Sequence, residues 1–186
     1  MDRHARRRFL ILLLATALIA GPALSQMLVL RARFITGKGG TQEKVYTVKF
    51  EIKGYTTKDE VVQMVEALNR GGEDAFRPVF RTMDKAVMKI IGGHGLPIYF
   101  HAVQEIPKEN GVEIRLIAEN VGFEQGAQRR LNVGLYFMVV VLDLDLKGRG
   151  EGRVYEDSTL EFGATGELKI GEFKSAPKML VNVRKG

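Results

Sequence analysis

"VGLYFMVVVLDLDLKGRGEG", residues 133–152, is the stretch on which the fold turns. In an extended chain Tyr136, Met138, Val140, Leu142, Leu144 and Leu146 share one face, and Phe137, Val139 and Val141 share the other. Asp143 and Asp145 then take over the second face. A strand buried on both faces reads as a continuous apolar run, whereas a strand with one wet face alternates. This stretch passes from the first pattern to the second, as expected of a central strand whose end reaches the rim of a sheet. Its tail, "DLDLKGRGEG" (143–152), also opens like a calcium loop, with Asp143, Asp145 and Gly148 in place. Such a loop needs oxygen ligands at its fifth and twelfth positions. Here those are Lys147 and Val154, so the reading fails on its own chemistry. A phosphate cradle built from Gly148, Gly150 and Gly152 would need a helix immediately after it. The next residues, "RVYEDSTLEF" (153–162), alternate as a strand instead. The glycines therefore read as turn chemistry between two strands.

The rest of the chain supplies that strand with neighbours. Residues 27–36 and 45–53 form an early strand pair around "GKGG". Tyr46, Val48, Phe50 and Ile52 are in phase, with Thr47, Lys49, Glu51 and Lys53 opposite. Arg31 and Arg33 occupy the wet face of the first strand, where Glu51 is expected to pair with them. Residues 85–91 and 98–104 flank "GGHGLP", and 112–119, 153–162, 167–173 and 178–184 complete the set. One helix stands out: Thr57 and Glu60 form a capping box, Val61, Val62, Met64, Val65 and Leu68 make an apolar stripe, and Gly71-Gly72 ends it. A shorter helix over 74–83 would have to accommodate Pro78. The expected class is α+β. The expected sheet is a strongly curved antiparallel one, or a partial barrel or sandwich, of about nine strands, since sheets that wide curl or split. One main helix lies near the start of the mature chain, and a mostly-β barrel is the alternative.

Residues 1–25 read as a secretory signal peptide ahead of a single domain, 26–186. Arg3, Arg6, Arg7 and Arg8 precede an apolar run from Phe9 to Ala20, and Ala23-Leu24-Ser25 suits cleavage before Gln26. Retention as an anchor would need a longer run, since a spanning helix takes roughly 20 residues. Arg6-Arg7-Arg8-Phe9-Leu10 also resembles a twin-arginine signal, though Ala5 and Ile11 stand where such signals carry polar residues. The expected location is periplasmic or extracellular, with membrane contact only through the leader. There are no cysteines, so disulfides, thiolate metal sites, cysteine nucleophiles and amino-terminal lipidation are all excluded. The formal charge of +6 contains four arginines and one aspartate of the leader, and without them 24 basic and 21 acidic residues leave +3. No nucleic-acid partner is expected at that charge in an exported chain.

Motifs for catalysis are sparse. After the leader, Ser158 and Ser175 are the only serines, and neither lies in a nucleophile elbow. His94, in the loop "GGHG", and His101 are the only histidines there, too few alone for zinc. Glu105 is expected on the same strand face as Tyr99, His101 and Val103. No metal, cofactor or catalytic set is assigned, and the balance of motifs is against an enzyme. Tyr99, His101, Tyr136 and Met138 are candidate walls for a small apolar ligand, with His94 as a loop candidate. The segments "GHGLPIYFHAVQEI", "GVEIRLIAEN", "VVLDLDLKGRGEGRV" and "LKIGEFKSAPKMLVNVR" resemble a group of uncharacterised exported bacterial proteins that pair a signal peptide with one β-rich domain. That resemblance implies no activity and brings no site residues. The expected function is an exported, non-enzymatic domain that binds a small apolar ligand or an envelope protein. The alternative is a hydrolase or metal-dependent enzyme using His94 and His101.

Overall fold

The computed structural model describes residues 27–37, 43–93, 95–119, 136–162, 168–173 and 176–186. Residues 1–26, which include the expected signal peptide, His94 and the first residues of the 133–152 stretch lie outside them. Among the described residues the fold is mostly β, with ten antiparallel strands in one sheet and one helix. In chain order these are β1 (Leu28–Thr36), β2 (Lys44–Ile52), α1 (Lys58–Thr82), β3 (Ala86–Ile90), β4 (Ile98–Phe100), β5 (Ala102–Lys108), β6 (Gly111–Glu119), β7 (Phe137–Asp145), β8 (Arg149–Phe162), β9 (Leu168–Phe173) and β10 (Lys178–Lys185). The sheet runs β4-β3-β2-β1-β10-β8-β7-β6-β5, with β9 attached to β8 alone. The ladder is open and is not a closed barrel. Its two end strands, β4 and β5, are nevertheless separated in the chain by a single residue, His101.

The two faces of β7 divide as the alternation predicts. Met138, Val140, Leu142 and Leu144 join an inner cluster that draws residues from every strand of the path, including Phe34, Phe50 and Phe100. Phe137, Val139 and Val141 face outward into a second cluster beneath α1. Asp143 is half-buried and Asp145 exposed, where the strand runs out beyond the helix. The turn into β8 is tight. The Gly148 N–H donates to the Asp145 carbonyl at 2.8 Å, and Gly148 adopts φ 71. The Asp145 carboxylate accepts the N–H groups of Arg149 and Lys147, each at 2.8 Å, which holds it below the usual carboxylate range. With the turn closed there, β8 starts at Arg149 rather than at residue 153.

The helix keeps its capping box. The Thr57 hydroxyl accepts the Glu60 N–H at 3.3 Å, and the Glu60 carboxylate accepts the Thr57 N–H at 2.8 Å. Gly71 and Gly72 (φ −154 and 61) break the helical backbone, and a second helical segment continues through Pro78 to Thr82. Val61, Met64, Phe76 and Phe80 are buried.

Two expectations from the sequence are corrected. Glu51 does not pair with Arg31 or Arg33. Its neighbours across the β1–β2 ladder are set by register, Val29 facing Glu51 and Arg31 facing Lys49, so its carboxylate meets Lys49 and Lys89 at 2.8 Å each. The extended segment expected over 98–104 is two strands, because it changes partner from β3 to β6 at His101.

Two outcomes are expected. Gly150 faces the β7 backbone so closely that an added Cβ would lie 1.8 Å from the Asp143 carbonyl oxygen. G150A should destabilise the domain by about 2–4 kcal/mol, measured by urea denaturation, and an unchanged midpoint would contradict this packing. The hydrogen bonds from Lys49, then Lys89, lower the Glu51 pKa from 4.5 to about 2. A lowered pKa stabilises the fold above the ordinary carboxylate range, and that contribution is lost as pH falls toward 2. E51Q should therefore melt below wild type at neutral pH, and the two should converge near pH 2.

Candidate functional site

The outward cluster has three walls. The sheet contributes Ala102, Ile117, Phe137, Val139 and Val141; α1 contributes Val61, Met64, Phe76 and Phe80; the β8–β9 hairpin contributes Leu160, Phe162, Leu168 and Ile170. Aromatic edges join the walls. Phe76 meets Phe137 at 6.1 Å and Phe162 at 5.9 Å between ring centres, and Phe80 meets Phe137 at 5.4 Å. The hairpin reaches beyond its own neighbours, since the Gln104 side-chain amide of β5 donates to the Leu168 carbonyl of β9 at 2.8 Å. The helix is tied down separately: Arg81 donates twice to the Glu119 carboxylate of β6, at 2.9 and 2.7 Å.

Two phase changes in the strands build this compartment. Between β7 and β8 the register passes from Val139–Tyr155 to Phe137–Ser158, so β8 carries one extra residue. The bulge turns Ser158, Leu160 and Phe162 to the side that Tyr155 already faces. The second change is at His101. Ile98 and Phe100 belong to the inner cluster, and so does Val103, while Ala102 belongs to the outer one. The expectation that His101, Val103 and Glu105 share one face is therefore corrected, because a single extra residue reverses the alternation.

His101 is held by three elements. Its N–H donates to the Ile117 carbonyl at 2.9 Å, its Nδ1 lies 2.8 Å from the Met83 carbonyl, and its ring meets Phe80 edge-on at 5.1 Å. A carbonyl only accepts, so the Nδ1 carries the proton. The other sequence-derived candidates are scattered. Tyr99 is 54% exposed and faces away from the inner cluster. Met138 is buried inside the sheet, and Tyr136 is half-buried one residue before β7. His94 lies outside the described residues. The structure thus brings His101 to the helix-covered compartment but not Tyr99 or Met138.

Sequence reasoning passed over the polar atoms that border this compartment. Ser158 is fully buried, and among the described residues its hydroxyl has no hydrogen-bond partner; the Gln104 Oε1 and Glu119 Oε1 are likewise buried without one. Glu119 Oε1 has the Arg77 guanidinium nearby, at 3.7 Å. Ser158 stands directly opposite Phe137, and opposite residues of an antiparallel pair project to the same side. Its hydroxyl is therefore on the side of the aromatic cluster. The available signal was a lone serine with Leu160 and Phe162 in phase after it.

A second polar group lies beyond the helix. Glu113, Asp143 and Glu151 stand in one row across β6, β7 and β8. Lys108 bridges Glu113 and Asp143, and Arg115 meets Glu113 at 2.6 Å. Burial would raise the Glu113 carboxyl, but these two cations outweigh it and hold it below its usual range. Glu113 and Asp143 are thus ion-paired on the sheet surface, and among the described residues no group of three acidic or histidine side chains is arranged to hold a metal. Comparison with protein-family models, curated proteins and solved structures finds no match.

H101A removes the ring contact and leaves the Met83 carbonyl without its donor. It should cost about 2–4 kcal/mol of stability. H101F, which restores only the ring, should fall between H101A and wild type in the same denaturation experiment.

Proposed function

We propose that this chain is an exported, non-enzymatic binding domain that holds a small amphiphile between α1, the β8–β9 hairpin and the outer face of the sheet. In this reading the sheet curls on itself, short of a closed barrel. The inner face fills with its own side chains, which leaves the helix-covered outer compartment as the binding region. The observation that carries the proposal is the Ser158 hydroxyl, fully buried on the side of the aromatic rings and unpartnered among the described residues. A buried polar group left unpaired costs about 1–3 kcal/mol. Aromatic walls with one or two polar groups are the usual make-up of a small-molecule site. Gln104 Oε1 adds an acceptor on the same side of the sheet. The matching ligand has an apolar body and a hydroxyl or carboxyl head.

Native mass spectrometry of the chain recovered from the periplasmic fraction should reveal a co-purified lipid-sized mass. A fluorescent fatty acid should bind the emptied protein, and S158A should weaken that binding about tenfold, the worth of one hydrogen bond. Because S158A also removes an unpaired polar group, the ligand-free variant should melt no lower than wild type. Equal fatty-acid affinity in the two proteins, or no binding to either, would overturn the proposal.

A further inference from the structure

The face of the sheet opposite the inner cluster carries five cations in register across β3, β2, β1, β10 and the first residue of β8, away from the residues that pack under α1. Lys89 faces Lys49, Lys49 faces Arg31, Arg31 faces Arg184, and Arg184 faces Arg149. All five project outward, since their chain neighbours Met88, Val48, Leu30 and Val183 are inner-cluster residues and Gly150 lies against the β7 backbone. Strands lie roughly 4.8 Å apart, so the row extends about 19 Å. Like charges set directly opposite one another destabilise a sheet. Glu51 offsets Lys49 and Lys89, and Asp145 lies 3.6 Å from Arg149. Arg31 and Arg184, together with Arg33 in the adjoining row, have no ion pair among the described residues. Folding is not served by this arrangement, and an anionic surface is its chemical complement.

The β3–β4 end of the row adds a second property. Ile91, Leu96 and Tyr99 are exposed there, at 43%, 81% and 54%. Ile91 comes two residues after Lys89, and Tyr99 stands opposite Val87 on β4. An exposed set of two aliphatic side chains and a tyrosine beside a cation row matches the headgroup–acyl boundary of a bilayer, which accepts both aliphatic and tyrosine side chains. We propose that this face docks the domain onto an anionic lipid surface, with Leu96, Ile91 and Tyr99 at the acyl boundary and the cation row over the headgroups. The two share only β8, whose first residue Arg149 ends the cation row while Ser158, Leu160 and Phe162 near its far end line the compartment, so the two assignments stand or fall separately.

The chain has no cysteine, so L96C and V62C each accept one environment-sensitive fluorophore. Full-length protein labelled at position 96 should shift its emission to the blue on vesicles of phosphatidylcholine with phosphatidylglycerol. It should not shift on phosphatidylcholine alone, and the shift should disappear in about 1 M salt, where charges are screened within a few ångströms. Label at position 62, on the outer side of α1, should remain unshifted, which separates this face from the apolar leader. R31S/R33S/R184S should weaken the shift about a hundredfold in lipid concentration, near fivefold per cation, with an unchanged circular dichroism spectrum. A shift that survives the triple substitution, an equal shift at position 62, or no shift at position 96 would overturn the proposal. So would tighter binding of a single-stranded oligonucleotide than of the anionic vesicles.

Discussion

The structure depends on one residue that serves as a junction between two ladders. Up to Phe100 the chain pairs with β3, and from Ala102 it pairs with β6. Between them His101 gives its N–H to β6, its Nδ1 proton to the end of α1, and its ring to Phe80. The two ends of a nine-strand path are thereby one continuous segment, fastened to the helix at the point where it changes sides. Apart from that fastening, the β3 end and the β6 end of the sheet are related through the ladder only by the long way round. The inner cluster takes residues from both.

Those parts of the fold that rest on periodicity were legible in the sequence. The faces of β7, the capping box at Thr57 and Glu60, and the break at Gly71-Gly72 each come from a local pattern with a physical cause. Bulges leave no such mark. His101, the Glu156-Asp157 step of β8 and the Val181-Asn182 step of β10 each insert one residue into a ladder, and the last places Asn182 at φ 54. Each reverses the side on which every later residue falls. Alternation carried through residue 101 puts Val103 beside His101, and carried through 156 it aligns Ser158 with Val154. The candidate site was missed for this reason, since its polar residues lie just beyond the two bulges. Tyr99 and Met138, chosen because they are aromatic or apolar, stand on opposite faces.

Charge tells a similar story of position against total. Over residues 26–186 the formal excess is only +3. Register nevertheless segregates it, with carboxylates bridged by Lys108 and Arg115 on β6 and β7, and a row of cations across β3 to β8. A net charge is blind to such sorting, which arises only when strands distant in sequence come side by side.

The joining of β4 to β5 bears on how the domain behaves among other copies of itself. Open sheets present unpaired edges that recruit other chains, and natural proteins blunt them with short strands, proline and lysine. Here the two end strands of the nine-strand path are blunted in this way, one being three residues long and the other ending in Pro107-Lys108. Both of these end strands belong to a single segment, joined at His101. A cut beside His101 would free two adhesive borders at once, turning a self-contained domain into a seed for strand exchange between copies.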